Sequence, residues 1–255
     1  MSSLLAAVRL LTVIPVAGGR GTDGTAIARS PVFFPVVGLA IGGALGGLDY
    51  GLTRFLPDGV SAALVIASAI ALTGALHLDG LADAADGLLG GRTPARRLEI
   101  MRDSSAGTFG AAVIGSSMLI RWAAIAALVS PTRVPAIIVA PLIGRTAALL
   151  LVRSFPYARE QGLGSGYSGV GWVAVISGHL FALAATFVLL GPWGLVAIGA
   201  ALAIVWGLGW WAARRLGGGL TGDVYGAASE IAEVVALVVA IALVEGGAGA
   251  APIWD

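Results

Sequence analysis

The sequence predicts an all-α polytopic transmembrane helical bundle, of about seven spans preceded by a short N-terminal interfacial helix, forming a single integral membrane domain over 1–255. Three observations predict it. First, 58% of the 255 residues are hydrophobic and only 11% are charged, against roughly 25% charged in an ordinary soluble domain. A soluble fold could not cover that much apolar surface, whereas a bilayer solvates it directly. Second, apolar runs of spanning length recur along the chain. Third, the arginines are spread very unevenly over the segments that connect those runs.

Residues 1–17 are apolar, but Arg9 interrupts them, Pro15 ends them, and no basic stretch precedes them. That pattern reads as an interfacial helix rather than a secretory signal. Spans need about 20 apolar residues. The candidates are 32–53, 60–78, 109–129, 134–152, 172–190, 193–212 and 226–244, rich in Gly and Ala, as close helix packing in lipid requires. Trp172, Trp193, Trp210 and Trp211 fall at predicted span ends, where interfacial anchors belong. No internal repeat is visible.

Seven spans define two sides. One holds the N-terminus, 79–107, 153–171 and 213–224, and receives Arg9, Arg20, Arg29, Arg92, Arg96, Arg97, Arg102, Arg153, Arg159, Arg214 and Arg215. The other receives only Arg54 and Arg133. This bias predicts that the first side is cytoplasmic. Asp79, Asp83, Asp86, Glu99, Asp103, Glu160 and Asp223 lie there too, so the chemistry is expected on that face. The net charge of +1 gives no case for nucleic acid, and the absence of Cys excludes disulfides and thiolate metal sites. All basic residues are Arg. Arg suits bidentate phosphate contacts, although a composition rich in Ala and Gly accounts for the bias equally well.

Four stretches carry the candidate chemistry. In HLDGLADAADG, His77–Gly87, helical spacing puts Asp79, Asp83 and Asp86 within about 60° of one face. Three carboxylates so close call for a cation, and hard oxygen ligands suit Mg²⁺ completed by substrate phosphates. His77 can be a general base, a metal ligand or an orienting residue. In RRLEIMRDSSAGTFG, Arg96, Arg97 and Arg102 can pair anions. Asp103 is a further ligand or a helix cap, and Ser104, Gly107 and Thr108 open the next span with free backbone amides. In RSFPYAREQGLGSG, Arg153, Tyr157 and Arg159 are candidate phosphate or base contacts, and Gly162 and Gly164 mark a loop. In GGGLTGDVYGAASEIAE, Asp223, Glu230 and Glu233 approach one helical face. The last two lie inside a span, where carboxylates are costly. They would join the metal set, or pair with Arg145 or Arg121. His179 lies within a span and reads as a packing residue. Carboxylates, arginines and a glycine-rich loop together suggest metal-assisted chemistry on a phosphate ester, in which catalysis is chiefly positioning and charge neutralisation.

HLDGLADAADG, IMRDSSAGTFG, YAREQGLG and GGLTGDVYGAASEIAE, in that order and spacing, resemble the adenosylcobinamide-GDP ribazoletransferase (cobalamin synthase) family, from about Thr12 to the last span. Ser105 and Phe109 depart from residues common in that family. The resemblance implies a Mg²⁺-dependent multi-pass enzyme of the plasma (inner) membrane. It would join adenosylcobinamide-GDP to α-ribazole, or its 5′-phosphate, and release GMP. It leaves room for a homo-oligomer or for association with other corrinoid-pathway enzymes. It implies Asp79, Asp83, Asp86 and His77 at the reaction centre, Arg145 among the substrate contacts, and Asp79, Asp83, Asp86, Asp223, Glu230 and Glu233 around the metal. Two rivals fit less well. Asp83-Ala-Ala-Asp86-Gly87 opens like the CDP-alcohol phosphotransferase motif, but the continuation is missing. A transporter would place its charges near the midplane between repeats.

Overall fold

The computed structural model describes residues 2–16, 24–103, 105, 107–160, 162, 166–167 and 170–246. Helix α1 (Ser3–Leu11) is capped by the Ser2 hydroxyl, which accepts the Leu5 amide. Helix α2 (Gly24–Arg29) runs through a 3₁₀ turn into α3 (Phe34–Leu52). There follow α4 (Asp58–Thr73), α5 (Leu76–Ala85) with a π-helical turn at Asp86–Gly90, α6 (Pro94–Ile100) and α7 (Thr108–Ala127). Helices α8 (Arg133–Ser154), α9 (Trp172–Arg215) and α10 (Gly222–Glu245) complete the bundle. Helix α8 is central, packed against α3, α9 and α10, with Leu142, Ile143, Leu149 and Leu151 fully enclosed.

The expected all-α membrane bundle is what the chain forms, with one difference in its spans. Among the described residues, five helices are long and apolar enough to cross a bilayer, or six if α4 and α5 count as one broken span. The runs 172–190 and 193–212 meet at the expected turn: α9 breaks into two helices at Gly191 (φ 63°, ψ −159°), just before Pro192. The expected span 60–78 is not one helix. Gly74 (φ 61°) and Ala75 (φ 57°) both take the left-handed conformation, and α5 leaves α4 at 92°. The corner is closed by hydrogen bonds to the last carbonyls of α4. The Ala75 amide donates to Ile70 O at 3.1 Å, and the Val13 amide, arriving from the end of α1, donates to Leu72 O at 2.9 Å. Those carbonyls would otherwise be orphaned.

Contacts between helix ends bear out the two-sided reading. At one rim Asp49 of α3, Asp58 and Ser61 of α4 and Arg133 of α8 converge. The Arg133 guanidinium donates to both Asp49 oxygens at 2.8 Å, and Ser61 donates to the same carboxylate at 2.7 Å. Asp49 is fully buried. Replacing Arg133 with Leu strands that carboxylate, so we expect a loss of roughly 3–5 kcal/mol. Thermal melting in detergent measures it, and an unchanged melting temperature would contradict the clasp. At the other rim lie the acidic stretch, the 155–160 segment and the start of α10.

Candidate active site

Two backbone hydrogen bonds build the rim beside α10. The Ala158 amide donates to Leu220 O at 2.8 Å and the Leu220 amide to Pro156 O at 2.9 Å, a parallel bridge that ties the 156–159 segment to the turn before α10. Thr221 caps α10 and Asp223 stands in its first turn. Helix α5 lies directly against that turn: a Cβ added at Gly80 would come within 3.0 Å of Asp223 O and 3.2 Å of its Cα. The approach leaves little room for a side chain at Gly80, and it brings Asp79 beside Asp223. Asp83 is half-buried one turn on, close enough to Asp79, Asp223 and Asp86 to feel their charges, with Arg159 opposing them. Arg159 donates to Asp223 Oδ2 at 2.8 Å.

These residues wall a cavity of about 260 Å³. His77, Asp79, Arg145, Tyr157, Arg159 and Asp223 supply its polar side, and Leu10, Leu11 and Phe34 part of its apolar side. His77 is 8% exposed, and its Nδ1 is buried with no hydrogen-bond partner. In the loop beyond the spans, burial and the neighbouring Tyr157 push Tyr167 up to about 12, so it faces the cavity as a neutral hydroxyl.

Other expected site residues are engaged elsewhere. Asp86, which follows α5 and keeps its α-helical backbone, does not line the cavity. Its carboxylate accepts the Gly107 amide at 2.8 Å and the Gly110 amide at 2.9 Å, fixing the start of α7. A side chain at Gly107 or Gly110 would run into that carboxylate. The amides at this helix start therefore bind an anion, but it is the protein's own. Glu230 and Glu233 lie deeper, between two guanidinium groups. Arg121 Nη2 is 2.9 Å from Glu230 and 2.7 Å from Glu233, and Arg145 pairs with Glu233. The pairing with Arg121 and Arg145 weighed from the sequence is the arrangement found.

Arg96 pairs with Glu99 at 2.7 Å on the surface. Arg97 donates to Arg215 O, and Arg215 to Leu88 O, so both brace the fold. Asp103 accepts from the Ser105 hydroxyl and amide, which hold it below the usual carboxylate range. Arg153 lies over the Trp172 ring at 4.8 Å. None of these, nor Arg102 or Thr108, lines the cavity, whereas Gly162 does. Ser104 and Gly164 lie outside the described residues. Sequence reasoning missed Tyr167 and Tyr225 as wall residues. Tyr225 stood inside the fourth stretch, two residues past Asp223, but nothing in the pattern distinguished it from packing.

A family model described as cobalamin-5-phosphate synthase matches residues 3–241. The chain belongs to that family. Among its relatives, an adenosylcobinamide-GDP ribazoletransferase of Roseiflexus sp. (strain RS-1) is 40% identical over 236 residues, 91% of this chain and 86% of the relative. Proteins of the same name from Deinococcus radiodurans and Desulfitobacterium hafniense (strain Y51) are each 38% identical. They cover 91% and 95% of this chain, and 82% and 98% of their own lengths. No solved structure matches the chain.

Among the described residues no three His, Asp or Glu side chains stand ready as a metal cage. Mg²⁺ does not need one, since it is usually held by one or two carboxylates together with substrate phosphates and water. In a cobalamin-5-phosphate synthase cavity whose wall holds Asp79 and Asp223, with Asp83 alongside, the donor set fits that mode. Asp86, Glu230 and Glu233 are already occupied by amides and guanidinium groups.

Proposed function

We propose that the chain joins adenosylcobinamide-GDP to α-ribazole, or its 5′-phosphate, with release of GMP, in the cavity between α5 and the first turn of α10. The observation that carries the location is the meeting of carboxylates and guanidinium groups from separate stretches of sequence, Asp79 with Asp223, Arg159 and Arg145, in one cavity wall. The reaction comes from the relatives' names. The arginine bias supports a plasma-membrane protein whose site faces the cytoplasm, where the soluble nucleotide would be met.

In the reaction a ribose hydroxyl oxygen of the acceptor bonds to the cobinamide-bearing phosphorus, and the bond from that phosphorus to the GMP oxygen breaks. Arg159 and Arg145 face the diphosphate and meet the charge that gathers on the departing oxygen. His77 Nδ1, unpartnered in the wall, takes the hydroxyl proton. Asp79 and Asp223 would hold Mg²⁺, with Asp83 alongside. When bound, the ion neutralises phosphate charge and polarises the phosphoryl oxygens. Tyr157 and Tyr167 line the approach.

The decisive experiment incubates membranes containing the chain with adenosylcobinamide-GDP. GMP should appear only after α-ribazole is added, stop with EDTA, and resume with excess Mg²⁺. Ribazole-independent GMP release, or none, would overturn the reaction. Activity indifferent to EDTA would overturn the cofactor alone.

A further inference from the structure

A second cavity, of about 330 Å³, adjoins the first. Tyr157, Tyr167 and Tyr225 line both, so the two spaces are divided by an aromatic partition. Beyond it the second cavity is walled by Arg153, Ser154 and Phe155. Its chemistry differs from that of its neighbour. The first holds two carboxylates, two guanidinium groups and an imidazole. The second holds no carboxylate and no carboxamide, only rings, hydroxyls and one guanidinium. The Ser154 Oγ is buried and has no hydrogen-bond partner. The Tyr157 and Tyr225 rings stand 6.5 Å apart and tilted by 35°.

A guanine base presents N–H donors, and acceptors such as Asp, Glu, Asn or Gln recognise them. The second cavity offers none of these groups. A flat heteroaromatic base without N–H groups makes no such demand, and aromatic walls suit it through stacking. The two-substrate reaction proposed above needs a place for such a base within reach of the phosphate site. We infer that the second cavity is the acceptor subsite: it takes the benzimidazole-type base of the incoming nucleoside, with the ribose passing the tyrosine partition toward the diphosphate. Specificity for the acceptor then resides in Phe155 and Ser154, and recognition of the nucleotide in the first cavity. This inference rests on the proposed reaction.

The test measures initial rates of GMP release, and separately equilibrium dialysis of α-ribazole against the full chain in detergent. Phe155→Ala should raise KM for α-ribazole by about tenfold, the worth of one lost stacking surface, and weaken its binding in dialysis to the same extent. KM for adenosylcobinamide-GDP should stay within about twofold, since Phe155 lines only the second cavity. Phe155 also packs against Trp206, with ring centroids 5.5 Å apart. The filling variant Ser154→Trp therefore gives a second measurement: it should abolish α-ribazole binding while adenosylcobinamide-GDP is still retained. Unchanged ribazole binding in Ser154→Trp, or an equal rise of both KM values in Phe155→Ala, overturns the subsite. If the wild-type chain releases no GMP on addition of ribazole, it is the reaction that fails, and the wild-type control shows this before any variant is read.

Discussion

Asp223→Asn is expected to lower kcat for GMP release by about 10³-fold, the range seen when a single preorganised charge or donor is removed from a reacting site, while leaving the protein folded. Asp223 ties α10 to both neighbours in the cavity wall: its backbone lies against Gly80 of α5, and its side chain is bonded to Arg159 of the 156–159 segment. An amide of the same shape keeps a hydrogen-bonding oxygen for Arg159 but carries no charge. The Arg159–Asp223 side chains are 11% and 19% exposed. The stability cost should accordingly be well below that of a fully enclosed pair. Two readouts check it: turnover at saturating substrate, and the melting temperature in detergent. Binding of Mn²⁺ as a spectroscopic stand-in should weaken in parallel. Full turnover in the variant would remove Asp223 from the machinery, and with it the site as drawn.

Glu233→Leu should behave in the opposite way, acting on the fold. Glu233 stands between Arg121 and Arg145, all three nearly excluded from solvent. Its removal leaves Arg145 without that counter-charge, and Arg121 with Glu230 alone. Breaking a buried pair by deleting one partner costs roughly 3–5 kcal/mol. The folded fraction should fall sharply, as seen by size-exclusion profile and melting temperature. The double variant Arg121→Leu/Glu233→Leu, which removes one charge of each sign, should recover part of that loss. If Glu233→Leu is instead fully folded and inactive, and loses Mn²⁺ binding, the residue is a metal ligand as the sequence suggested and the ion-pair account fails.

The contrast between these carboxylates marks the limit of what the sequence made legible. Apolar runs and the Arg distribution identified the bundle and its two rims, and pointed to the rim on which the site is proposed. These signals are additive along the chain and need no tertiary detail. The i, i+4, i+7 spacing correctly drew Asp79 and Asp83 to one helix. It did not foretell the capture of Asp86 by two amides 21 and 24 residues away, which leaves no local trace. The run 60–78 looked continuous because hydropathy does not register backbone handedness. Ala75, a residue with no preference for positive φ, sits there under tertiary constraint. Arg133 read only as a loop cation, with nothing in the pattern to link it to Asp49. Their pairing joins residues 84 apart in sequence. The tyrosines that divide the two cavities come from three segments, and no spacing rule links them.

The corner at Gly74 and Ala75 decides how deep the carboxylates sit. Were the helix to continue straight from Thr73, Asp86 would stand roughly 20 Å further along the axis, at 1.5 Å per residue, a spike in open water. Turned through 92°, the same stretch lies like a shelf across the mouth of the bundle. For the reaction proposed above, such a shelf would let a guest far larger than a nucleotide lay one end at the carboxylates and leave its bulk outside.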